Sequence, residues 1–128
     1  MIKFLGLINI LLVSVLTSTY WLPRLNRHTL RIKSAGYQSL IGFLRKIHKP
    51  LGIVLLVTAL AHGMLALGKL SLHTGSVMWI VIFLTSLLGG ALYRKRKPAL
   101  FKWHRRFALL VVLLMLLHLF APNALSFL

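Results

Sequence analysis

A repeated histidine spacing inside apolar sequence constrains this chain more than any other feature. His48 and His62 bracket HKPLGIVLLVTALAH, His104 and His118 bracket HRRFALLVVLLMLLH, and fourteen positions separate the histidines in each. Fourteen residues of α-helix make just under four turns, so both imidazoles of a pair leave one face, about 21 Å apart along the axis. Two segments of spanning length with this spacing are expected to face each other and share ligands at two depths. Bis-histidine haem ligation requires that pattern, because a six-coordinate haem iron accepts one imidazole nitrogen from each side of the porphyrin.

Composition narrows the chemistry. The 128 residues are 59% hydrophobic, contain no Asp, Glu or Cys, and include 16 Lys and Arg. The length suits a single domain over 1–128. Without cysteine there is no disulfide, thiolate metal site, iron–sulfur cluster or covalent c-type haem attachment, so any haem here is held non-covalently by histidine. Without carboxylates, paired-acid catalysis and carboxylate-ligated metals fall away. The cations cluster between long apolar runs, which points to lipid as the partner and away from nucleic acid.

Four spans are expected, at about 2–22, 48–68, 74–93 and 98–121. The first is closed by Tyr20-Trp21 and Pro23; its rival is a cleaved signal peptide, disfavoured by a single Lys3 before the apolar run. Residues 24–47 form a basic amphipathic link in which Tyr37, Leu40, Ile41, Leu44 and Ile47 keep helical spacing. Such a segment lies at the membrane surface or extends the next span. Pro50 suits the first turn of the second span; a helix beginning upstream would instead carry it inside. Pro98 suits the start of the fourth span, and Pro122 with Asn123 its end.

Charge sets the expected orientation. The basic stretches 24–49 and 94–106, which lead into the second and fourth spans, hold seven cations each, leaving only Lys3 and Lys69 elsewhere. The positive-inside bias then puts both basic links in the cytoplasm and both termini outside, in a plasma (inner) membrane. Spans two and four run the same way, so His48 pairs with His104 near the inner surface and His62 with His118 farther out.

The faces carrying these histidines include Gly52, Ala59, Ala66 and Ala108, small residues that leave room for a flat macrocycle or let bare helices approach. Gly89 and Gly90 suit either purpose. Met64, Met78 and Met115 read as core, and His28 and His73 as solvated links. Lys49, Lys102, Arg105 and Arg106 flank the inner ligands and Lys69 follows the outer one. Each is a candidate partner for a haem propionate or an ordinary membrane-surface cation.

From about Arg45 to Phe120 the chain resembles the haem-binding core of the ferric reductase-like transmembrane family. Ile47-His48-Lys49 with His62, and Trp103-His104-Arg105-Arg106 with His118, are similar to its paired-ligand helices, and respiratory cytochrome b uses the same two-helix, two-haem logic. The family has about six spans and often flavin or nicotinamide domains; here four spans stand alone, so the resemblance implies that other polypeptides supply the rest.

The expected fold is therefore an all-α integral membrane protein, a four-transmembrane-helix bundle holding two b haems between helices 2 and 4. The expected role is electron transfer across the membrane, as a subunit of a larger reductase or respiratory system more than as a self-contained enzyme. Partners would be a cytoplasmic flavoprotein or quinol and an outer-side acceptor, in a hetero- or homo-oligomer. The alternative is a non-redox membrane protein, an assembly factor or metal transporter, using the histidines for packing or another metal. The four-span topology predicts that single cysteines at Ser34 and Ser71 react with impermeant thiol reagents from opposite sides of the membrane; labelling from one side contradicts it.

Overall fold

The computed structural model describes residues 1–68 and 72–125. Four helices follow one another, α1 (Ile2–Leu25), α2 (Ala35–Leu67), α3 (Thr74–Lys95) and α4 (Pro98–Phe120), and no strand occurs among the described residues. Each helix is long and apolar enough to cross a membrane. Their exteriors carry large exposed side chains such as Phe4, Ile53, Val57 and Leu109. A surface of this kind is stable against acyl chains, and the chain has the architecture of a multi-pass membrane protein.

The helices alternate in direction. The carbonyl of Ile2 meets His62, whereas Tyr20, at the other end of α1, lies under the guanidinium of Arg105 at the start of α4. All the basic segments therefore collect at one end of the bundle. α1 packs along α2 and α3 along α4, with a smaller contact between α2 and α3 and a slight one between α1 and α4. Among the described residues no Cα of α2 lies within 8 Å of a Cα of α4.

The core sits at mid-length, between the two histidine levels: Val13, Leu55, Ala59, Met78, Val81, Ile82 and Val111. Two polar ties cross it. Thr58 donates to the buried Asn9 amide oxygen at 2.7 Å, and the Trp79 indole N–H donates to the Leu56 carbonyl at 3.1 Å. Polar groups so placed must pair with one another, since lipid offers no substitute.

Several boundaries differ from the sequence expectation. α1 runs through Pro23 to Leu25 and continues as a π-helical turn over Asn26–Leu30. Proline frees only the carbonyl four residues earlier, so a helix persists through it near an end. The turn stops where Arg31 adopts a left-handed φ of 50°, and the Asn26 side chain both donates to and accepts from the Ile32 backbone. α2 begins at Ala35, after a Ser34 cap that accepts from the Tyr37 N–H, so residues 35–47 extend the second span and Pro50 lies inside the helix. Its 33 residues rise about 50 Å, well beyond the hydrocarbon thickness. In this extension Ile41 is buried and Leu40 exposed. Met78 is core as expected, but Met64 is exposed.

Ile82 is only 2% exposed, whereas Ile80 on the same helix is 48% exposed. Ile82→Ala is expected to cost about 2–4 kcal/mol through the cavity it leaves, and Ile80→Ala well under half of that. Equilibrium unfolding of the two variants in mixed detergent measures the difference.

Candidate functional site

The four paired histidines meet two by two. The His48 and His104 rings have centroids 6.1 Å apart, and those of His62 and His118 are 6.4 Å apart. A metal bonded to the Nε2 atoms of two imidazoles at about 2.0–2.1 Å sets their centroids roughly 6 Å apart, so both pairs stand at bridging distance. The backbones of α2 and α4 do not approach closely, and the imidazoles reach across from one helix to the other.

Hydrogen bonds fix the ring states. His62 donates from Nδ1 to the Ile2 carbonyl at 3.1 Å, and His104 from Nδ1 to the Thr85 carbonyl at 2.9 Å; a carbonyl only accepts, so these nitrogens carry the proton. The Thr74 hydroxyl donates to the Pro122 carbonyl at 2.7 Å, which leaves its oxygen to accept from His118 Nδ1, also at 2.7 Å. In the neutral imidazole each of these three rings then offers an Nε2 lone pair. His48 differs: its buried Nδ1 makes no well-formed hydrogen bond, although the ring interacts with the backbone of Leu16 on α1.

The acceptors for all three tethered rings lie on α1 and α3, the helices that carry no paired histidine, and each is accompanied by glycine. A Cβ on Gly6 would meet His62 Cε1 at 3.3 Å, one on Gly75 would meet His118 Cε1 at 3.3 Å, and one on Gly89 would meet His104 Cε1 at 3.1 Å. Gly6 and Gly89 stand four residues after the carbonyls they accompany. That spacing removes the side chain that would cover the carbonyl, because helical Cα–Cβ bonds tilt toward the N-terminus. Gly90 meets nothing, which separates the two glycines the sequence left equivalent.

The His62–His118 pair lines a cavity of about 360 Å³ together with Lys3, Gly6, Asn9 and Ala59. Of the small residues expected to give clearance, Ala59 is in this lining, and a Cβ on Gly52 would meet no protein atom within 4 Å. Ala108 is half-buried and Ala66 exposed. With α2 and α4 apart, these residues do not serve a direct approach of the two helices.

At the basic end several cations sit over aromatic rings. The Lys49 ammonium is 3.1 Å from the Tyr93 centroid, Arg105 is 4.3 Å and Arg24 4.8 Å from Tyr20, and Arg106 is 5.1 Å from Trp103. Lys102 is exposed, as is His28 in the π-helical turn. Lys69 lies outside the described residues. Lys3, which the sequence marked only by its place before an apolar run, lines the same cavity as His62 and His118.

Among the described residues no three His, Cys, Asp or Glu side chains converge. Comparison with family models, with curated proteins and with solved structures gives no match to this chain.

Gly89 and Gly90 are expected to respond to alanine with opposite sign. Gly90→Ala raises helix stability by about 0.5–1 kcal/mol, while Gly89→Ala displaces the His104 ring and lowers it. Thermal unfolding followed by circular dichroism in detergent ranks the pair.

Proposed function

We propose that this chain is a dihaem b-type membrane cytochrome that passes electrons between the two membrane faces. The observation that supports the reading most is the doubled imidazole pair at 6.1 and 6.4 Å, with three of the four Nδ1 atoms committed elsewhere. His48 and His104 would hold one haem at the basic, cytoplasmic end, and His62 and His118 would hold the other at the outer end. Bound there, iron porphyrin supplies reversible one-electron redox chemistry.

The protein's own part is ligation, spacing and insulation. The ligand nitrogens are oriented by α1 and α3, the two levels are held about 21 Å apart by the rise of α2 and α4, and the mid-length core keeps water and ions out between them. Each haem would be held by two histidines of the chain, an arrangement that would suit electron transfer better than oxygen activation. Lys3 at the outer level, and Lys49, Arg24 and Arg105 at the inner one, are the cations proposed to offset propionate charge. No acid in the chain competes for them.

The family proposed on resemblance is the ferric reductase-like transmembrane group, with electron donor and acceptor on other polypeptides. The cationic face suits an acidic flavoprotein as donor. Quinol is less well served, because its oxidation needs a proton acceptor and no carboxylate is present.

Purified protein is expected to show Soret and α bands that sharpen on dithionite, with two haems per chain. His62→Ala and His118→Ala should each remove the same haem and leave about half the absorbance. A colourless, folded protein rejects the proposal in favour of a non-redox membrane protein. Loss of spectrally different haems from the two variants rejects the pairing.

A further inference from the structure

Thr74 is the first residue of α3 and is fully buried, with no exposed surface. A threonine in a first helical turn ordinarily turns its hydroxyl to its own backbone or to water. Here the hydroxyl leaves α3 and bridges two groups of the α4 end, donating to the Pro122 carbonyl and accepting from His118 Nδ1, both at 2.7 Å. The Pro122 carbonyl lies just beyond the end of α4, where backbone acceptors have no helical donor. One hydroxyl therefore closes the C-terminal end of α4 and fixes the proton on its last histidine.

We propose that Thr74 is a positioning residue for the outer site: it commits the His118 proton to Nδ1, presents Nε2 as the lone-pair nitrogen and sets the basicity of that ligand. The inference rests on the proposed function for what His118 ligates, but not for its tautomer. His62 and His104 use helix carbonyls for the same purpose. His118 alone is held by a side chain, so it alone of the three can be altered there by one substitution that leaves every backbone in place. A ligand imidazole whose Nδ1–H is strongly bonded is the more basic donor, and it holds the oxidised metal more firmly. Gly75, next in sequence, leaves the ring room against α3.

The test compares Thr74→Val, which keeps shape and loses the hydroxyl, with Thr74→Ser, which keeps it. The full chain, haem-free, is labelled with ¹⁵N-histidine in nanodiscs, so that no metal on Nε2 dictates the tautomer. In the wild type and in Thr74→Ser, the His118 signals (assigned by their loss in His118→Gln) should show a protonated Nδ1 and an unprotonated Nε2. In Thr74→Val that form should be lost or mixed with the Nε2–H tautomer. Redox titration of the haem-loaded chain is the second readout. Thr74→Val should raise one of two midpoint potentials and leave the other in place, and Thr74→Ser should change neither. An unchanged His118 tautomer in Thr74→Val overturns the assignment, as does an equal shift of both potentials. A wild type that binds no haem defeats the proposed function, and the nitrogen spectra still decide the role of Thr74.

Discussion

An imidazole N–H in a lipid-facing bundle must find an acceptor, and that requirement organises this structure. A bilayer core offers no water to stand in, acids are absent from the chain, and helix carbonyls are already paired within their own helices. A carbonyl still has a second lone pair, and a side chain from a neighbouring helix reaches it where nothing covers it. Gly6 over Ile2 and Gly89 over Thr85 create such openings, and His62 and His104 fill them. The Thr74 hydroxyl serves His118 at the end of α4, where the helix has run out.

From that requirement comes a division of labour. α2 and α4 carry the paired imidazoles, and α1 and α3 carry their acceptors and the glycines that clear a place for the rings. The packing follows the same division: α1 lies along α2 and α3 along α4, while α2 and α4 stay apart and meet through histidine side chains. The apolar core at mid-length joins the two halves, with the Thr58–Asn9 and Trp79–Leu56 bonds as its polar ties. His48 is the least firmly tied of the four: its buried Nδ1 makes no well-formed hydrogen bond, and the backbone acceptor it interacts with, Leu16, again lies on α1.

Much of this was legible in the chain. The fourteen-residue spacing is a property of the α-helix, so it places both histidines of a pair on one face before any packing is known. Alternation of spans then matches His48 with His104 and His62 with His118, and the rings are found side by side in those combinations. Helix ends were less legible. Pro23 and Pro50 read as punctuation, yet each lies inside a helix, because losing one N–H does not stop the turns on either side. The surroundings of the rings were not legible at all: Gly6, Gly75, Thr74 and Lys3 have unremarkable neighbours in sequence, and Gly89 cannot be told from Gly90 without knowing which way α3 is turned.

The sequence by itself determined four apolar spans, the cationic end of the bundle, and histidines at two levels on two parallel helices. These follow from composition and from the fixed rise and pitch of a helix. Only the tertiary structure decided which nitrogen of each ring is occupied, which glycines give way to them, and that α2 and α4 stand apart. Those outcomes depend on the rotation of each helix about its own axis, which is set by side chains meeting across elements and not by periodicity along any one of them.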